Sequence, residues 1–144
     1  MQITEQWTQE DREYIRTKLI EYNLSQLPEE VNHPMKPISF LLRDEQDQIV
    51  GGITGTMFWQ CMHVDFLWLE EALRGKGYGK QLLAKMEEAA KEHSCRLIQL
   101  DTFSFQAPDF YQRNGYEVIG IVDGHPTELH KRYYLVKRLE GERA

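Results

Sequence analysis

The stretch Leu67-Trp68-Leu69-Glu70-Glu71-Ala72-Leu73-Arg74-Gly75-Lys76-Gly77-Tyr78-Gly79-Lys80 decides how the rest of the chain is read. It opens as an apolar strand and passes through alternate glycines. It then leads into Leu82, Leu83, Met86, Ala89 and Ala90, whose spacing predicts the apolar face of a helix running to about His93. Glycines let backbone amides converge with no side chain between them, and a helix start adds partial positive charge. Such a turn suits a phosphate or pyrophosphate. Arg74, Lys76 and Lys80 gather three cations there, in a chain whose formal net charge is −6. An acidic chain repels nucleic acid over most of its surface, so a polyanionic ligand needs such a local cluster.

Upstream, His63 to Leu69 reads as a strand with His63, Asp65, Leu67 and Leu69 on one face and Val64, Phe66 and Trp68 on the other. Two earlier strands are predicted at Ile38 to Leu42 and Ile49 to Trp59. Gly51, Gly52 and Gly55 mark a bulge or a close backbone approach in the second. Before them, Thr8 caps a helix with Asp11 three residues on and Ile15, Leu19 and Tyr22 at helical spacing. Asn23 to Pro37, with Pro28, Pro34 and Pro37, is either a mobile loop or a short second helix. Downstream come a strand at Leu97 to Phe103 and a short helix at Pro108 to Arg113 stopped by Gly115. A final strand pair follows at Tyr116 to Val122 and Arg132 to Leu139. The basic tract His130 to Arg138 reads as an exposed sheet edge guarded by charge.

At 144 residues, 41% apolar and 11% aromatic, the chain has the size and composition of one globular domain, residues 1–144. No apolar run reaches the length of a membrane span, and from the polar start, Met1 to Glu10, no signal peptide is expected. The expected location is cytoplasmic. Cys61 and Cys95 read as buried free thiols, and no cysteine or histidine spacing suggests a metal. His33, His93, His125 and His130 read as surface or loop residues.

A nucleotide P-loop would need glycine where Arg74 stands and a hydroxyl where Gln81 stands. The dinucleotide fingerprint would need glycine at Lys80. The pattern that fits is R-x-x-G-x-G at Arg74, Gly77 and Gly79, and with the strand before it this resembles the acetyl-CoA motif of the GNAT N-acetyltransferases. A second element, Ala107-Pro108-Asp109-Phe110-Tyr111-Gln112-Arg113-Asn114-Gly115-Tyr116, is similar to that family's A-x-x-F-Y-x-x-x-G-F/Y signature. Two motifs in order, about 30 residues apart with a strand between, are far more specific than either alone. The resemblance implies an α/β (mixed α+β) GNAT fold, with a central, mostly antiparallel mixed sheet splayed in the middle and flanked by helices. It also implies an enzyme moving an acetyl group from acetyl-CoA to a primary amine by direct attack in a ternary complex, with no metal and no acyl-enzyme.

It further implies roles. The amides of Gly75, Lys76, Gly77, Tyr78, Gly79 and Lys80, with Arg74, would hold the pyrophosphate. Leu67 and Leu69, with Trp68 between them, would pair with the pantetheine arm, and Tyr111 would be the general acid. His63 holds the place where some relatives carry a catalytic glutamate. Its imidazole suits proton removal near neutral pH, with Asp65 as the rival base or a contact for a cationic substrate. Ser104, with Gln106 nearby, replaces an asparagine that in relatives contacts the cofactor arm. Asp101 and Gln99 share a strand face near the cleft, and Glu29 and Glu30 read as a solvated acidic turn. Expected partners are a small-molecule or peptide amine and a second copy in a homodimer, with neither nucleic acid nor membrane. The alternative is a non-catalytic CoA-binding regulatory module of the same fold, against which Tyr111, His63 and Asp65 argue.

Overall fold

The computed structural model describes residues 1–31 and 35–139, so the expectations for His33 and Pro34 lie outside the described residues. The chain divides into two compact units, Met1–His33 and Pro34–Ala144.

The first unit is built on helix α1 (Gln9–Gln26), whose cap is the one the sequence predicts: the Thr8 hydroxyl accepts from the Asp11 amide at 3.0 Å. Its row Ile15, Leu19 and Tyr22 is exposed, there being no second long element within its own unit to pack on. The acidic pair lies in a short 3₁₀ turn, Glu29–Val31, so the proline-marked connection contains a brief helical turn.

The second unit carries six strands: β1 (Lys36–Arg43), β2 (Ile49–Phe58), β3 (Cys61–Leu69), β4 (Leu97–Phe103), β5 (Glu117–Asp123) and β6 (Lys131–Arg138). They form one sheet in the order β1-β2-β3-β4-β6-β5, antiparallel except for β3 and β4. Parallel neighbours need a long crossover, and here it is a 3₁₀ turn (Glu71–Leu73) followed by helix α2 (Tyr78–Glu92). Leu82, Leu83, Met86, Ala89 and Ala90 are buried as the spacing predicts. They pack with Ile53, Met62, Val64, Ile98, Leu100 and Leu135 from the sheet and with Tyr111 of the short helix α3 (Pro108–Arg113).

Two expectations are corrected. Strand β6 is not an edge, because β5 pairs outside it. Two of its basic residues find partners inside the unit, Arg132 with Asp101 at 2.8 Å and Lys137 with Glu87 at 3.1 Å. The regular alternation of β3 also fails. Gly55 pairs with Val64 but its neighbour Thr54 pairs with Phe66, leaving Asp65 as an extra residue in a bulge. Beyond the bulge the pleat has shifted by one. Val64 is buried and Leu67 and Leu69 pack on the core, while Phe66 and Trp68 are exposed. His63 and Asp65 therefore do not share a face with Leu67 and Leu69.

The bulge explains one glycine. A Cβ at Gly55 would stand 2.9 Å from the His63 carbonyl oxygen and 3.0 Å from the Met62 sulfur, so the backbones approach too closely for any side chain. Gly55→Ala is expected to destabilise by about 2 kcal/mol, whereas at Gly120 a Cβ meets nothing within 4 Å and Gly120→Ala stays within about 0.5 kcal/mol of the parent. Urea unfolding of the two variants checks the contrast.

Candidate active site

Strands β3 and β4 pair over only three positions, Cys61 with Leu97, Met62 with Ile98 and His63 with Gln99. The bulge at Asp65 follows at once, and a bulge bends its strand. Past it the two strands no longer pair, and a cleft of about 1000 Å³ opens between Val64–Leu69 of β3 and Leu100, Asp101 and Thr102 of β4. The glycine turn lines the cleft through Arg74, Gly75, Gly77, Gly79 and Lys80, and α3 contributes Phe110 and Tyr111.

Gly75 and Gly77 have φ of 75° and 90°, left-handed conformations that glycine tolerates and branched residues do not. Space beside both is open, with no atom within 4 Å of a would-be Cβ. Gly77 is the N-cap of α2, and no side chain caps it. The first intrahelical bond runs from the Gln81 amide to the Gly77 carbonyl at 3.1 Å, so the amides of Tyr78, Gly79 and Lys80 precede the helical ladder. The first turn holds no acidic residue. The Arg74 Nε donates to the Leu69 carbonyl at 3.2 Å, which ties the cation to the end of β3. These are the features an anion site requires: open amides, a helix dipole and nearby positive charge. Lys76 and Tyr78 are not part of the cleft wall.

Tyr111 is buried, packed edge-on between Phe110 and Tyr116 at ring distances of 5.2 and 5.8 Å, and still reaches the cleft. Burial pushes its phenol up to about 12, so it holds its proton throughout the physiological range.

The structure brings His63 and Asp65 together. His63 Nδ1 lies 2.8 Å from one Asp65 oxygen, and the Thr56 hydroxyl donates to the other at 2.9 Å. With Nδ1 protonated, His63 is the donor and its Nε2 is left as the basic nitrogen. Asp65 belongs to the cleft wall and His63 does not.

Gln106 lines the cleft, its amide oxygen accepting from the Thr102 hydroxyl at 3.1 Å and the Phe103 amide at 2.8 Å. Ser104 is outside the wall, and its hydroxyl accepts from the Lys131 amide at 3.0 Å, fastening β6 to the end of β4. Asp101 does face the cleft, bound to Arg132, whereas Gln99 lies at the last paired position before it. Sequence reasoning missed Phe66, Phe105, Phe110, Arg113 and Asn114 as wall residues. Phe105 is 59% exposed and stacked flat on Phe103. An exposed aromatic two residues past a strand end was its one available signal. Cys61 and Cys95 are buried as expected. Burial pushes the Cys61 thiol up to about 11 and raises that of Cys95, and neither lines the cleft. Thiols so weakly ionised are poor nucleophiles.

Comparison with known proteins places this geometry. The model of the acetyltransferase (GNAT) family matches residues 2–116. The blasticidin-S acetyltransferase of Streptomyces morookaense is 40% identical over 96 residues, 66% of this chain and 70% of that protein. The crystal structure of an acetyltransferase from Bacillus cereus ATCC 14579 superposes with a TM-score of 0.91 at 47% identity, covering 96% of this chain and 98% of that one. A Bacillus anthracis acetyltransferase in complex with acetyl coenzyme A shares the fold, with a TM-score of 0.63 at 24% identity over 78% of this chain and 68% of that one. A splayed mixed sheet, a glycine turn entering α2 and a tyrosine-bearing α3 thus meet a family match over most of the chain: it belongs to the acetyltransferase (GNAT) family and is an N-acetyltransferase.

Proposed function

We propose that the protein transfers the acetyl group of acetyl-CoA to a primary amine on a small molecule, by direct attack of the amine on the thioester while both substrates are bound. The observation that carries this reading is the cleft between β3 and β4. Its wall is shared by the uncapped start of α2 and by Tyr111 of α3. The acetyl-CoA complex of the Bacillus anthracis protein supports the donor. The name of the Streptomyces morookaense relative supports a small-molecule acceptor.

On this reading the amides from Gly75 to Lys80, with Arg74 and Lys80, hold the diphosphate of the coenzyme. The unpaired edge of β3 at Leu67, Trp68 and Leu69 holds the pantetheine arm. On that side its backbone groups have no β4 partner, and the Leu69 carbonyl accepts instead from Arg74. Gln106 stands beside that arm, and Ser104 serves by anchoring Lys131 behind it. The amine must attack unprotonated, and for a lysine-like amine of pKa ~10.4 that costs about 4–5 kcal/mol at pH 7. The His63–Asp65 pair supplies an acceptor for the proton that must leave. Asp65 meets the incoming cation at the cleft wall and holds His63 in the tautomer whose Nε2 takes the proton through water.

Full proton transfer from a phenol at about 12 to a thiolate whose conjugate acid is ~8.5 is uphill by about 5 kcal/mol. Tyr111 therefore works chiefly by donating a hydrogen bond to the sulfur as its negative charge develops. The proton shed by the nitrogen completes the thiol. No acyl-enzyme is needed, in keeping with the raised cysteine thiols. Action as one 144-residue unit, a cytoplasmic location and homodimer assembly belong to the same proposal. Among the described residues no helix is long and apolar enough to cross a membrane.

Free-thiol release from acetyl-CoA, measured across small-molecule amines, peptides and protein lysines, tests the activity, and turnover is expected with small-molecule amines. Tyr111→Phe is expected to lower kcat roughly 10- to 100-fold while leaving the acetyl-CoA Kd within about threefold. Collapse of binding to the same extent would refute the phenol's role. Gly77→Val should raise the acetyl-CoA Kd at least roughly tenfold, read by calorimetry, because it strains a left-handed position and puts a side chain beside the amides. Because the Tyr111 pKa is raised, its donor form persists to higher pH than an ordinary phenol's. The kcat/KM profile should climb as the amine deprotonates and show no falling limb below about pH 10.5. A fall centred near ~10, the unperturbed tyrosine value, contradicts the assignment.

A further inference from the structure

Helix α3 is only six residues long, Pro108–Arg113, too short to hold its own direction. The placement of Tyr111 therefore depends on what fastens the end of that helix. The fastening is a polar cluster behind the ring. Lys137 of β6 donates from Nζ to the Asn114 carbonyl at 3.0 Å and to Glu87 Oε2 at 3.1 Å. The Tyr116 hydroxyl donates to the same Glu87 oxygen at 2.9 Å, and the Lys137 ammonium sits 5.6 Å above the Tyr116 ring. The amides of Asn114 and Tyr116 both donate to the Tyr111 carbonyl at 3.0 Å. Gly115, with φ of 93°, leaves the room that Lys137 occupies, since a Cβ there would lie 3.3 Å from the Lys137 Cε. Side-chain exposures of 30% for Lys137 and 19% for Glu87 set the pair apart from solvent-borne ion pairs of little consequence.

Glu87 sits on α2, two turns beyond Lys80. The helix that begins at the glycine turn is thus also the one to which α3 is tied.

The geometry points to the Glu87–Lys137 ion pair, with Tyr116, as a positioning device for the transfer reaction: it locks α3 to α2 and so sets the Tyr111 phenol at a fixed distance from a thioester held by the start of α2. This inference rests on the proposed roles of Tyr111 and of the α2 amides. None of the three side chains lines the cleft, so they act through Tyr111.

The test is a double-mutant cycle read by free-thiol release from acetyl-CoA, with whichever amine of the panel turns over fastest. Lys137→Met is expected to lower kcat about fivefold or more with the acetyl-CoA KM within about twofold. In a Tyr111→Phe background the same change should lower kcat by less than about twofold, because the group being positioned is gone. Tyr116→Phe keeps the ring and removes only the hydroxyl bond to Glu87. It should show the same pattern at smaller size, and it carries the test if Lys137→Met does not fold. An equal fall in both backgrounds, or no fall in either single variant, overturns the positioning role. If Tyr111→Phe alone leaves kcat unchanged, the phenol reading has failed and this inference falls with it. If no amine turns over, the transferase reading fails first.

Discussion

The three-residue pairing of β3 with β4 is the constraint on which the site depends. Over Cys61–His63 the two strands are ordinary parallel neighbours, and that short contact holds the halves of the sheet together. Two residues later β3 must accommodate Asp65 as an unpaired extra, and the pairing with β4 has ended. Beyond the bulge β3 keeps β2 on one side and has no partner strand on the β4 side. The bulge opens the cleft and carries the Asp65 carboxylate to the cleft wall. Gly55 on the neighbouring strand permits all this, since a side chain there would strike the His63 carbonyl.

Charge is distributed to match. The chain is acidic overall, yet the entry to α2 gathers Arg74, Lys76 and Lys80 and excludes acidic residues from the first helical turn. The two carboxylates of the cleft wall are both held by partners, Asp65 by His63 and Thr56 and Asp101 by Arg132. A held carboxylate keeps its direction at little entropic cost when a cation arrives. In the proposed reaction this separates an anion-binding end from a proton-accepting side, with Tyr111 where the leaving sulfur would lie.

Local signals made most of the fold legible. The glycine turn, the capping pair Thr8 and Asp11, the α2 stripe and the Pro108–Gly115 brackets each rest on neighbours in sequence, and each appears within a residue or two of expectation. What misled was long-range. The bulge at Asp65 has no mark in β3 itself, because its signal is a glycine on the partner strand. The basic residues of β6 resembled a guarded edge because their partners, Asp101 and Glu87, lie 31 and 50 positions away. Likewise His63 and Asp65 read as rivals until the bulge placed them in one hydrogen-bonded pair, and the hydroxyl of Ser104 proved to serve Lys131. The cleft residues that escaped sequence reasoning, Phe66 and Phe105 among them, are aromatics whose periodicity fits a core as well as a wall.

In the proposed complex coenzyme A lies along the unpaired edge of β3 with its diphosphate on the amides that open α2. Amide hydrogen exchange with and without acetyl-CoA measures this most directly. Marked slowing is expected at residues 66–69 and 75–80, with exchange in β5 unchanged. Slowing confined to other segments, or none at all under saturating acetyl-CoA, would contradict it.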